Sequence, residues 1–206
     1  MLNDIKWLFF DVGSTLVDET ECYNHRIRDA IAGTDITFEE FNEKRLYFSK
    51  QNLKGDIEAL RYFGLAKTPW HHEDEKPYKD SENVLKILCE KGYRIGVIAN
   101  QSVGTEKRLE SCGLMKYIQL VVASAEEGVA KPDKRIFDIA LKRAGCSPSE
   151  AVMIGDRVDN DIIPANEMGM MTIWVRQGLG KYWTISDESE KADFTVDNLS
   201  ELLDIF

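Results

Sequence analysis

Short, continuously apolar runs set the rhythm of this chain: residues 5–10, 94–98, 118–123, 151–154 and 171–175. Runs of this length without polar alternation predict strands buried on both faces. Between them, apolar residues recur at helical spacing over 81–90, 105–112, 133–144 and 162–168, with Ser81 expected as the cap of the first helix. Gly92, Gly113, Gly145 and Gly169 follow these helical patterns, where a left-handed residue commonly ends a helix. Strand and helix in alternation predict right-handed crossovers and a parallel, doubly wound sheet with helices on both faces. Residues 193–196 are expected to add an edge strand, and 199–205 a closing helix.

One region breaks this rhythm. From about Asp18 to Lys79 there is no buried-strand run, but helical patterns cover 20–32, 37–50 and 55–63. A polar, histidine-bearing segment, 68–79, follows. Inserted after the first strand, this region predicts a small helical unit standing over the sheet.

Composition narrows the function. The 36 acidic residues outnumber the 26 Lys and Arg, giving a formal charge of -10 with no basic cluster, which argues against a nucleic-acid partner. The four cysteines, Cys22, Cys89, Cys112 and Cys146, are scattered without a CxxC pair, so free thiols in a reducing compartment are expected. No apolar run nears 18 residues, and no basic segment leads into a long apolar one. Membrane insertion and secretion are therefore not expected, and the chain reads as cytoplasmic. No oligomeric state is implied.

In a doubly wound sheet, ligands bind beyond the carboxyl ends of the strands. The first strand ends at Asp11, in FFDVGSTLVDET. The second ends in IGVIANQS, presenting Ala99, Asn100, Gln101 and Ser102. The third is followed by SAEEGVAKPD with Lys131, and the fourth by GDRVDND with Asp156, Asp159 and Asp161. Singly, each reads as a turn, a helix start (Pro132 suiting a first helical position) or a solvated loop. Together they place Asp11, Asp156 and Asp161 on one edge with Lys131. Two carboxylates ~4 Å apart repel by roughly 4 kcal/mol at an effective dielectric of 20, so the cluster calls for a cation. Hard oxygen donors suit Mg²⁺, and the lysine adds positive charge for a phosphate.

These segments, in this order and spacing, resemble the haloacid dehalogenase superfamily of hydrolases, over essentially the whole chain. The resemblance implies an α/β fold: a three-layer, Rossmann-like core of residues 1–17 and 80–206 with a mainly parallel sheet, and a helical cap of residues 18–79. It implies a Mg²⁺-dependent hydrolase that acts on a small phosphorylated metabolite, with Asp11 as the nucleophile that becomes an aspartyl-phosphate. The metal would be held by Asp11, the Gly13 carbonyl and Asp156, with Asp161 nearby. Lys131 would orient the nucleophile and neutralise the phosphoryl group, with Asn100 and Ser102 beside the phosphate.

Two positions depart from the family pattern. Gly13 stands where the family carries a second acid, the general acid/base, and Ala99 stands where it carries a hydroxyl donor to the phosphate. A positioned acid/base contributes about 10²–10⁴-fold. The replacement is therefore expected from the cap, with His25, His71 and His72 as candidates, or from solvent, or a good leaving group would make it unnecessary. Trp70, Tyr62 and Arg61 are candidates for substrate selection. Two alternatives stand beside the phosphatase: a regulatory protein that binds metal and phosphate with little turnover, and a C–P bond cleaving hydrolase using Lys44, Lys50 or Lys54 as a Schiff base.

Overall fold

The computed structural model describes residues 4–206. Its main sheet has six parallel strands: β1 (Trp7–Phe10), β4 (Arg94–Ala99), β5 (Leu120–Ala123), β6 (Ala151–Gly155), β7 (Met171–Val175) and β8 (Phe194–Val196). Their order is β5-β4-β1-β6-β7-β8. The chain leaves β1 for β4 and β5 on one side, then returns to build β6 to β8 on the other. The reversal falls at β1, with Phe10 opposite both Val97 and Ile154. The carboxyl ends of β1, β4 and β6 are therefore neighbours, at the point where such sheets open a crevice.

The alternation of β1 divides the core. Leu8 and Phe10 pack on one face with Val84, Leu85 and Leu88 of α4 (Ser81–Glu90). Trp7 and Phe9 pack on the other with Ile136, Phe137 and Ala140 of α7 (Lys134–Ala144). Every one of these strand residues is buried, which accounts for the unbroken apolar run.

Local differences from the sequence reading have physical causes. Ser81 is not a cap: Asp80 precedes the helix, and the buried Ser81 hydroxyl donates to the Leu16 carbonyl at 2.7 Å, tying α4 to the first loop. Pro132 lies outside α7, because Asp133 takes the capping position and accepts from the Arg135 amide. The segment after β6 opens with a π-helical turn, Val158–Ile162, before α8 (Ile163–Met168). The closing segment is a 3₁₀ turn, Leu199–Glu201, leading into α9 (Leu202–Ile205).

Between β1 and α4 run α1 (Thr20–Ile31), α2 (Phe38–Ser49) and α3 (Gly55–Phe63). Thr37 and Glu40 form a reciprocal capping box at the start of α2. The three helices pack around their own apolar cluster of Ile27, Phe41, Ala59 and Leu60. Two short strands the apolar pattern did not signal, β2 (Val17–Asp18) and β3 (Lys76–Pro77), pair antiparallel where the chain enters and leaves these helices. Among the described residues, no helix is long and apolar enough to cross a membrane.

Candidate active site

Asp11 extends β1 by one residue, its amide donating to the Ile154 carbonyl at 2.9 Å. This aims the carboxylate past the end of the sheet. The chain then turns tightly, with the Leu16 and Val17 amides both donating to the Val12 carbonyl at 2.9 Å. Ser14 takes a left-handed φ of 57° inside this turn.

Lys131 reaches Asp11 from the loop that precedes α7. Its Nζ is 2.7 Å from Asp11 Oδ1 and 2.5 Å from Asp161 Oδ1, and the side chain is almost completely buried. The Asn100 side chain holds the lysine's main chain at two points. Its amide nitrogen donates to the Lys131 carbonyl at 2.8 Å, and its oxygen accepts from the Lys131 amide at 2.7 Å. The Asn100 side chain is thus committed to placing Lys131. Ala99 is fully buried at the end of β4, paired with Ala123.

Asp156 and Asp161 come from the turn after β6. The Arg157 amide donates to Asp161 Oδ2 at 3.0 Å, and the Asp161 amide donates to the Arg157 carbonyl at 2.8 Å. A Cβ on Gly155 would stand 2.2 Å from Asp161 Oδ2, so glycine there is what lets the carboxylate fold back. Asp159 turns away and accepts from Arg157, at 2.8 Å and 2.5 Å. Asp156 is fixed from behind by the Trp174 indole, which donates to its carbonyl at 3.0 Å. Gly180 packs against the same carbonyl, leaving no room for a side chain.

Carboxylate oxygens of Asp11, Asp156 and Asp161 lie within 4.8 Å of one another, and all three residues are buried. Burial would lower the Lys131 pKa, yet Asp11 and Asp161 hold it above its ordinary value. Burial, then the charges of Asp11 and Asp161, pushes Asp156 well above the carboxylate range. Asp161 is pushed up to about 6 by burial, against the pull of Lys131. One ammonium thus faces three buried carboxylates, and the cluster has a surplus of negative charge. A hard, oxygen-only donor set with such a surplus fits Mg²⁺.

A further carboxylate stands beside this cluster, and the sequence reading did not single it out. Glu19 is buried and lines the same cavity as the cluster. Burial first, and then the Asp11 charge, pushes its carboxyl up to about 8. At the start of a helical pattern a glutamate reads as an ordinary first-turn acid, so no sequence signal distinguishes it. The same holds for Trp174 and Gly180, which read as strand and loop.

A cavity of about 440 Å³ opens above Asp11, Lys131, Asp156 and Asp161, within the range for small-molecule sites. Gly13, Asn100 and Ser102 also line it, while Arg26, Lys54 and Trp70 contribute from the helical side. Tyr62 and Arg61 do not line it: Tyr62 is exposed, and Arg61 pairs with Glu58 at 2.5 Å. Of the histidines only His72 lines the cavity, with Nε2 3.2 Å from the Ser102 hydroxyl and Nδ1 2.7 Å from Glu75. His25 and His71 stack on each other, ring centres 3.5 Å apart, and pair with Asp74 and Asp29. Lys44 and Lys50 do not line the cavity either and lie over tyrosine rings.

The family described as haloacid dehalogenase-like hydrolase matches residues 5–169. The chain belongs to that family. A protein from Methanopyrus kandleri named glyceraldehyde 3-phosphate phosphatase is 32% identical over 98% of this chain and 97% of its own length. The pyrimidine 5′-nucleotidase YjjG of Escherichia coli is 40% identical over 89% of this chain and 95% of its own. Among solved structures, a HAD phosphatase from Thermococcus onnurineus has the same fold, with a TM-score of 0.66 at 23% identity, covering 98% of this chain and 97% of that one. The protein is a hydrolase of the haloacid dehalogenase-like family.

Proposed function

We infer that this hydrolase is a Mg²⁺-dependent phosphatase of small phosphorylated metabolites that works through an aspartyl-phosphate at Asp11. One observation carries the reading: a buried Asp11 beside Lys131, in one cluster with Asp156 and Asp161, on the floor of a cavity of about 440 Å³. Relatives named for triose-phosphate and nucleotide hydrolysis support the substrate class. In this reading residues 18–79 form the cap that walls the cavity above a core of 1–17 and 80–206. The free thiols support a cytoplasmic setting.

The geometry supports the following roles in this reading. An Asp11 carboxylate oxygen attacks phosphorus, and the bond to the leaving oxygen breaks. Lys131 holds Asp11 in line and balances charge on the phosphoryl oxygens, with the Asn100 main chain and Ser102 at the phosphate. Asp11, the Gly13 carbonyl, Asp156 and Asp161 are the groups that would hold Mg²⁺. When bound, it supplies positive charge to the same oxygens. Water then attacks the aspartyl-phosphate, releasing phosphate and restoring Asp11.

The test is a screen of phosphorylated metabolites, including triose phosphates and nucleoside monophosphates, with Mg²⁺ or with EDTA. Turnover is expected on at least one substrate, lost in EDTA and lost in Asp11→Asn. Turnover that survives in Asp11→Asn overturns the role of Asp11. Tight binding of beryllofluoride with no turnover on any substrate would instead make the protein a phosphate-binding regulator.

A further inference from the structure

Gly13 does not adopt the left-handed backbone that calls for glycine. What excludes a side chain there is a carboxylate. A Cβ built on Gly13 would lie 2.4 Å from Glu19 Oε1 and 2.7 Å from Oε2. The Glu19 carboxyl therefore fills the volume into which a side chain at position 13 would project. It also faces the cavity beside Asp11.

The route by which it arrives is built into the fold. After Asp11 the chain folds back, with the Ser14 amide donating to the Val17 carbonyl at 2.8 Å and a bridge between Gly13 and Val17. Pairing of Val17 with Pro77 and of Asp18 with Lys76 fixes the return strand. Glu19 then sits at the start of α1, where an acid commonly caps the helix. Its side chain makes no such bond and turns towards Gly13 instead.

We propose that Glu19 is the proton carrier of this site, doing from the foot of α1 what an acid at position 13 would do. The inference rests on the phosphatase reading and adds the second half of its chemistry. As Asp11 forms its bond to phosphorus, the electron pair of the breaking P–O bond goes to the leaving oxygen, which takes the Glu19 proton and departs as an alcohol. The Glu19 carboxylate then takes a proton from the water that attacks phosphorus. The bond to Asp11 breaks with its pair returning to that carboxylate. The sum is ester plus water giving alcohol plus phosphate, with Glu19 protonated again.

His72 is the competing group, since it also lines the cavity, but its two ring nitrogens face Ser102 and Glu75. The Glu19 carboxyl instead lies over Gly13, in the same cavity lining as the nucleophile.

The test compares leaving groups. Glu19→Gln keeps the size and polarity of the side chain but cannot carry the proton. It should lose about 10²-fold or more on an alkyl phosphate, within the usual worth of a general acid, and far less on p-nitrophenyl phosphate, whose anion leaves unaided. Moving the acid back, in Gly13→Asp with Glu19→Ala, should recover alkyl turnover relative to Glu19→Ala alone. Equal losses on both substrates, no loss at all, or the same selective loss in His72→Asn would overturn the proposal. A second readout uses no turnover: Gly13→Ala should lower the melting temperature in the presence of Glu19 and much less in Glu19→Ala. Equal destabilisation in both backgrounds would mean that the carboxylate does not lie over Gly13. Failure of the phosphatase reading looks different, because Asp11→Asn would then retain turnover or the intact protein would show none.

Discussion

Replacing Lys131 by Met removes one charge and keeps most of the buried stem. The ammonium is 2.7 Å from Asp11 and 2.5 Å from Asp161. At an effective dielectric of about 20, each attraction is worth roughly 6–7 kcal/mol before the cost of taking the charges out of water. That cost removes much of the gain, and breaking a buried pair typically destabilises by about 3–5 kcal/mol. For a chain of this size the melting temperature should fall by about 6–20 °C. Thermal unfolding followed by circular dichroism in EDTA measures it. The loss belongs to the carboxylates left behind, so Lys131→Met with Asp161→Asn should be more stable than Lys131→Met alone. Mg²⁺ should raise the melting temperature of Lys131→Met by more than that of the parent protein, because the cluster has become more negative. A Met variant within about 2 °C of the parent in EDTA refutes the reasoning, and so does a double variant less stable than the single one.

Asp156→Asn should abolish the rise in melting temperature that Mg²⁺ gives the parent protein, since a ligand bound only by the native state stabilises it by mass action. Gly180→Ala should cost about 1–3 kcal/mol in urea denaturation, because the new Cβ would lie 2.1 Å from the Asp156 carbonyl oxygen. At the far end of the sheet, the Glu150 carboxyl is held down to about 2, first by Lys6 and then by the Ser147 cap. A depressed folded value means that its contribution is present above the ordinary carboxylate value and is lost as pH falls towards 2. Stability curves of the parent and Glu150→Gln should therefore converge over that window, and curves that stay parallel refute the assignment.

The parts of the fold that the chain announces are those built from continuous apolar runs and helix-ending glycines. The run at 171–175 is a strand end to end, and Gly92, Gly113, Gly145 and Gly169 all take positive φ. Asp11, Lys131, Asp156 and Asp161 were legible because strand ends of a doubly wound sheet converge by topology alone. The positioning of those groups was not. Ser81 reads as a cap but serves as a long-range tie to Leu16. Trp174 reads as a core strand residue but also holds the Asp156 carbonyl. Asn100 reads as a main-chain phosphate contact, and that its side chain is spent on placing Lys131 could not be read from it. Each depends on where a side chain points after the chain has folded, and neither periodicity nor local propensity encodes that. Glu19 is the sharpest case, since only the return of the chain through β2 brings it over Gly13.

That return makes positions 13 and 19 rival tenants of one space. A side chain at 13 and a carboxyl from 19 cannot both be housed as the protein stands, because the first atom added at 13 would lie 2.4 Å from the second group. Descent with modification should therefore register the two as an antagonistic pair: lineages with a bulky residue at 13 should carry something small or turned outward at 19. A lineage passing between the two arrangements needs an intermediate with the space vacated, glycine at one position and a shortened residue at the other. Compared column by column, two such relatives would look as though one had lost a residue and the other had gained one. Superposed in space, they would differ only in which stretch of chain delivers the acid.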